Sequence, residues 1–225
     1  MSSNSQKTQH NLLIVDLEST CWGSRQTPDG EPQSVHNMEV IEIGCALANR
    51  QGDIGRTASF LIRPKRHPHL SDFCVQLTGV NQSMVDAAPA FPEAISAMNN
   101  WLGELPDYFV WCSWGNYDRQ HLEAQSLLDG AGPIISHRPH LNLKRIWRRT
   151  TGQKKKNGLR HALAFHDLAF EGNPHRGIDD AKNIVRLLPF MDWALEPAIV
   201  NMPGAQRLQA LKELSALDQE LGLYD

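Results

Sequence analysis

Long hydrophobic runs are missing from this 225-residue chain. None of its apolar stretches approaches the roughly 20 residues a membrane-spanning helix needs, so no membrane partner is expected. The first eleven residues are polar and carry no hydrophobic signal region. Residues 1–10 therefore read as a flexible arm and the expected location is cytoplasmic. Cysteine is scarce: Cys21, Cys45, Cys74 and Cys112 stand apart, with no Cys-x-x-Cys pair. That spacing suits reduced, mostly buried thiols better than a zinc site or disulfide framework. Ten histidines are present, but none has partner ligands at zinc spacing. There is no internal repeat, and the net charge of −3 gives no global sign of a polyanion partner.

One local absence says more. Between Arg138 and Arg160 there is no Asp or Glu, yet the segment holds nine Lys and Arg. Seven of these, Lys144, Arg145, Arg148, Arg149, Lys154, Lys155 and Lys156, are close-set. A basic block on an otherwise acidic body is an electrostatic footprint for nucleic acid.

The apolar run Leu12–Val15 is rich in branched residues and reads as a buried strand, continuing through Asp16-Leu17-Glu18. Stretches 39–48 and 54–62 read as two more strands joined by a hairpin, so the first three form an antiparallel meander. Short helices are expected over 70–77, ending at Gly79, and over 92–102. A strand follows over 108–113, then a helix to about Leu128, an edge strand near Leu141 and Leu143, and a basic helix over 144–149. Further helices are expected over 158–165 and from Ile178 to about Trp193. A last helix, 205–221, carries Leu208, Leu211, Leu214 and Leu217 as a narrow stripe, able to dock on this domain or to pair two copies. Monomer and homodimer both stay open. A meander followed by alternating strands and helices implies an α/β domain with a mixed sheet and helices on its faces, plus a C-terminal helical tail.

Side chains alternate along a strand, so Asp16 and Glu18 share a face. Two adjacent carboxylates at the end of a hydrophobic strand are unfavourable unless something neutralises them, and a divalent cation does this well. Asp118 follows a strand at the start of a helix, at the sheet end where ligands gather in α/β folds. On the helix after His175, Ala181, Ile184, Val185 and Leu188 form the buried stripe. Asp180 falls about 40° from Ile184 at 100° per residue, whereas Asp179 falls toward water. Asp180 is thus the inward acid, and His175 is free to approach whatever it holds. Acids from three segments with a nearby histidine are what two-metal phosphodiester hydrolysis requires. Glu42, within the second strand, either pairs with a neighbouring strand or supports the acid cluster.

Taken in order, Asp16-x-Glu18, Asp118 and His175-x4-Asp180 resemble the motif set of DEDDh 3′→5′ exonucleases, which have a ribonuclease-H-like fold. Several further stretches are similar to the branch containing the histone-mRNA 3′-end exonuclease and the RNA-interference-limiting exonucleases. These are Thr20-Cys21, Leu77-Thr78-Gly79-Val80 with Gln82, Ser113-Trp114-Gly115, and Gly177-Ile178-Asp179-Asp180 with Asn183-Ile184. The resemblance spans Asn11 to Trp193 and implies an exonuclease domain over 11–195 with a helical extension over 196–225. It implies two divalent cations, Mg²⁺ or Mn²⁺, with Asp16 bridging both and Glu18, Asp118 and Asp180 completing the cage. His175 would be the general base, releasing nucleoside 5′-monophosphates. Leu77, Thr78 and Gly79 would cradle the terminal nucleotide, with Thr20, Trp114 and Asn116 completing the substrate site. Trp22 would either stack on a base or pack in the core. Two departures stand out: Asn116 where that branch is often acidic, and Arg176 where it has a small residue. The expected activity is trimming of single-stranded RNA 3′ ends. A DNA or short-oligonucleotide exonuclease, and a catalytically idle nucleic-acid-binding protein, are the alternatives.

Overall fold

Strand β1 (Leu12–Ser19) is the axis of the fold, because its apolar residues are buried on both sides. The computed structural model describes residues 10–105, 109–154 and 157–193. Strands β2 (Val40–Ala48) and β3 (Ile54–Leu61) complete the meander, followed by helices α1 (Asp72–Thr78), α2 (Gln82–Asp86) and α3 (Phe91–Gly103). Then come β4 (Val110–Ser113), α4 (Tyr117–Asp129), β5 (His140–Asn142), α5 (Leu143–Thr151), α6 (Leu159–Phe165) and α7 (Gly177–Val185). The sheet order is β3-β2-β1-β4-β5. β1 pairs antiparallel with β2 and parallel with β4, and β4 pairs parallel with β5. This is the expected mixed sheet of a ribonuclease-H-like α/β domain.

Strand parity divides the core. Leu13, Val15, Ile43, Cys45 and Leu47 face α3, where Ala94, Ile95, Met98 and Leu102 cover them. Leu12 and Ile14, with Ala46 and Ala48, face the other way and are covered by Ala181, Ile184 and Val185 of α7. On this second face the β2 residues are small, which lets α7 come close. The closest approach is at Gly44, where a methyl group would overlap the Gly177 carbonyl group. A methyl on Gly177 would in turn lie 2.9 Å from the Asp16 carbonyl oxygen. Because Asp16 pairs with Gly44 in the ladder, this contact seats the start of α7 directly above the first acid.

Two expectations need correction. The helix after His175 stops at Val185 and gives way to a 3-10 turn over Leu188–Phe190. Pro189 has no N–H to donate, and its ring disfavours an α conformation at Leu188. The second difference is α2, a five-residue helix absent from the sequence reading and capped by the Asn81 side chain on Met84 N. It is too short to show a periodic stripe. The N-terminal arm and the Leu208–Leu217 stripe lie outside the described residues.

Gly44→Ala should lower the unfolding free energy by at least about 3 kcal/mol through overpacking against backbone. Gly103→Ala, where an added methyl meets open space, should be close to neutral. Urea denaturation of both variants checks the pair, and equal costs would discard the close-approach account.

Candidate active site

Asp16 and Glu18 emerge from β1 onto the α7 face, at the end of the sheet where the pairing with β2 loses regularity. Glu18 stands opposite Glu42, but Ser19 opposite Val40, so the ladder slips between them. Such bulges bend a strand and redirect its side chains. Asp118, in the first turn of α4, is buried and held to β1 by the Leu17 N–H, which donates to its Oδ1 at 3.1 Å. Asp180 arrives from the first turn of α7. Oxygens of Asp16, Glu18 and Asp180 lie within 4.8 Å of one another.

A cleft of about 550 Å³ holds Asp16, Glu18, Asp118, Asp180 and His175 together. Leu77, Trp114, Asn116, Tyr117 and Lys144 are among the residues that line it. Its volume lies within the range of small-ligand sites.

Burial dominates the electrostatics, and crowding adds to it. Burial, reinforced by the charges of Asp118, Asp180 and Glu18, pushes Asp16 well above the usual carboxylate range. Burial and the charges of Asp180 and Glu42 raise Glu18 to about 10. Asp118 is raised to about 6 by burial, with the Leu17 N–H and the Lys144 charge opposing. Burial raises Asp180 to about 7, although the backbone N–H of His175 donates to it. Asp180 Oδ2 is buried and has no hydrogen-bond partner among the described residues. Oxygens this close, one without a donor among the described residues, suit hard divalent cations.

His175 stands exposed at the cleft edge with φ of 62°, a left-handed conformation that costs a non-glycine residue about 1–2 kcal/mol. Partial desolvation of the ring at the cleft edge and the Arg160 charge lower its pKa below the ordinary histidine value. Asp179 points away from the acids. Its Oδ2 accepts the Asn173 N–H at 3.0 Å, and Lys182 lies 3.6 Å from its Oδ1.

Several substrate-site expectations move. Thr20 is buried, and its Oγ1 accepts the Glu39 N–H at 2.9 Å, so it fastens β1 to β2 outside the cleft. Thr78 is also buried, bonded through its hydroxyl to the Cys74 carbonyl and the Val80 N–H. Of the Leu77-Thr78-Gly79 stretch, only Leu77 lines the cleft, while Gly79 is the left-handed C-cap of α1. Trp22 neither joins the described core clusters nor lines the cleft; its ring meets His67 edge-on at 5.1 Å.

The basic block also divides. Lys144 reaches the cleft, and Arg160 is near enough to act on His175. Arg148 is buried, and its guanidinium donates to the carbonyls of Gln153 and Lys154, closing the loop after α5 instead of facing a ligand. Arg145 and Arg149 lie half-buried on α5 and Lys154 is described just beyond it, while Lys155 and Lys156 lie outside the described residues. Sequence reasoning noted Arg176 and Glu42 separately but missed that the Arg176 guanidinium grips Glu42. The available signals were an unexplained acid among apolar neighbours and a lone arginine beside the histidine.

The family model for exonucleases of RNase_T type matches residues 13–188. Human "ERI1 exoribonuclease 3" is 31% identical over 188 residues, covering 80% of this chain and 52% of that protein. The "3'-5' exonuclease eri1" of Schizosaccharomyces pombe is 29% identical over 219 residues, covering 84% of this chain and 71% of that one. Among solved structures, the nuclease domain of 3'hExo, a DEDDh family member bound to rAMP, superposes with a TM-score of 0.70 at 28% identity. It covers 85% of this chain and 94% of that chain. The chain spans about half the length of the bovine and human ERI1 exoribonuclease 3 proteins it matches.

Without cations, each crowded acid binds its proton more tightly in the folded state than in the unfolded one. The cluster's contribution to stability is therefore most favourable below about pH 4. It declines as pH rises through about 6 and 7, where Asp118 and Asp180 titrate. Added Mn²⁺ should raise Tm more at pH 8 than at pH 5. Asp180→Asn should raise the metal-free Tm at pH 8 by about 2–4 °C, on the order of 1 kcal/mol, and shrink the Mn²⁺ response. Differential scanning fluorimetry measures both; a destabilised Asp180→Asn with an unchanged Mn²⁺ shift would sink the assignment.

Proposed function

Because this chain belongs to the exonuclease family of DEDDh type, we propose that it is a metal-dependent 3′→5′ exoribonuclease acting on single-stranded RNA ends. The observation that carries this reading is the convergence of Asp16, Glu18, Asp118, Asp180 and His175 in one cleft. The preference for RNA rests on relatives named exoribonucleases and on a similar nuclease domain bound to rAMP.

In this reading Asp16, Glu18, Asp118 and Asp180 hold two Mg²⁺ or Mn²⁺ ions. When bound, such ions stabilise the attacking and leaving oxygens of an in-line displacement. His175 takes a proton from the attacking water on its imidazole. Its lowered pKa keeps the ring neutral and ready to accept that proton at physiological pH. The Leu77 side chain bounds the space for the terminal nucleotide, and Trp114 and Asn116 complete the wall. Lys144 supplies positive charge at the cleft, and the basic block other than the inward-turned Arg148 extends that field along the incoming backbone. The product is a nucleoside 5′-monophosphate.

The decisive experiment is a time course on 5′-labelled single-stranded RNA and matching DNA, with Mg²⁺, Mn²⁺ or EDTA. A metal-dependent ladder shortening from the 3′ end of RNA is expected. Faster shortening of DNA would reverse the substrate preference, and binding without shortening would favour a non-catalytic role. Asp16→Asn and Asp180→Asn should each lower the rate by roughly a thousandfold. Asp179→Asn should change it little, because an amide oxygen can still accept the Asn173 N–H.

Replacing Lys154, Lys155 and Lys156 with Ala should weaken RNA binding and flatten its dependence on salt. The rate at saturating RNA should stay within about threefold, since backbone contacts add binding energy without touching the reacting centre. An unchanged salt slope would remove these lysines from the binding track.

A further inference from the structure

Glu42 is completely buried in the second strand, directly across from Glu18 in the ladder. Two carboxylates opposite each other repel, and a buried one needs partners. Glu42 has three. Ser59 donates its hydroxyl to Oε1 at 2.7 Å. Arg176 donates Nε to Oε2 at 3.0 Å and Nη2 to Oε1 at 3.3 Å. The Gly177 N–H donates to Oε2 at 3.1 Å. Two of these donors are consecutive residues immediately after His175, and they come from the other end of the chain.

The turn they belong to is the one that presents His175. The left-handed backbone of His175 is the kind of unfavourable conformation that persists only when its surroundings over-determine it. On its N-terminal side the turn is tied by Arg176 N–H to the Asn173 carbonyl at 3.2 Å. On its C-terminal side the fork of Glu42 holds Arg176 and Gly177 together. The stem of Arg176 also runs beside Gly79, with Cδ 3.7 Å from where a Cβ would stand. The same side chain therefore links the turn to the end of the helix that carries Leu77.

We propose that Glu42 is the positioning residue for His175: its carboxylate clamps the Arg176 guanidinium and the Gly177 N–H and so fixes the turn that aims the imidazole into the cleft. The role assigned to His175 rests on the exonuclease reading, whereas the clamp itself is a property of the fold. Neutralising a buried charge would not require a bidentate pair and a main-chain bond on two successive residues.

The test has two independent readouts on the whole 225-residue chain. The first is hydrogen–deuterium exchange without metal or RNA, following a peptide that spans residues 172–180. Glu42→Ala should accelerate exchange in that peptide at least about tenfold while peptides from α3 keep their rates. Unchanged exchange around the turn would overturn the clamp whether or not the protein is a nuclease. The second readout is a double-mutant cycle with Mn²⁺ and RNA. Glu42→Ala should lower kcat about a hundredfold with KM nearly constant, the scale expected when a reacting group is misplaced by about 1 Å. In the His175→Ala background the same change should cost less than about twofold, because a residue acting through another has nothing left to position. Losses that multiply would mean Glu42 merely supports the sheet or the acid cage, and the proposal would fall. Glu42→Gln covers a Glu42→Ala variant that fails to fold: its amide oxygen can still accept the Gly177 N–H, so it should lose only about tenfold in kcat. A wild-type protein that shortens no RNA would count against the exonuclease reading, with the exchange result still deciding the clamp.

Discussion

Repulsion among four carboxylates in one cleft is the constraint around which the fold is arranged. Asp16, Glu18, Asp118 and Asp180 come from a strand and two helices; burial displaces each upward in pKa, and the neighbouring carboxylates add to the shift of Asp16, Glu18 and Asp180. A cluster of this kind works against its own folding. It persists because the elements that bear it are held by forces remote from the charges. The apolar residues of β1 anchor the first two acids, and the packing of α7 on Leu12, Ile14, Ala46 and Ala48 anchors the last. Strain at a site suited to cations is thus offset by ordinary burial elsewhere.

The seating of α7 shows how narrow the tolerance is. Gly44 and Gly177 meet without side chains between them, so the helix start lies against the strand pair itself. That contact sets how far Asp180 stands from Asp16, and a single added methyl has nowhere to go. From the same point Glu42 holds Arg176 and Gly177. Packing and hydrogen bonding therefore converge on one turn, the one that carries the histidine. Its left-handed backbone is accounted for by the contacts on either side.

The basic block illustrates why composition alone misleads. Nine positive residues without a negative one form an unmistakable signal, yet their tasks differ. Arg148 turns inward to close a loop, Lys144 enters the cleft, and Arg160 lies close enough to shift His175. A guanidinium with five donors can serve main-chain carbonyls as readily as phosphates. Which it serves depends on the loop geometry around it.

What the sequence determined by itself is whatever follows from the short periods of regular structure. Alternation along a strand put Asp16 and Glu18 on one face, and the helical repeat turned Asp180 inward and Asp179 away, because both periods are local geometry. The mixed sheet was legible for the same reason, since strand and helix patterns succeed one another in a recognisable order. Tertiary structure alone decided the rest. Thr20 and Thr78 share their stretches with cleft residues, yet Thr20 was diverted into a bond between the ends of two strands and Thr78 into bonds within its own helix and the turn after it. Glu42 found its partner 134 residues away, at a turn whose position depends on how α7 packs. No periodicity encodes a pairing over that separation. It exists only once the sheet and helix have been brought together, when a carboxylate left without water must be met by whatever donors the fold delivers.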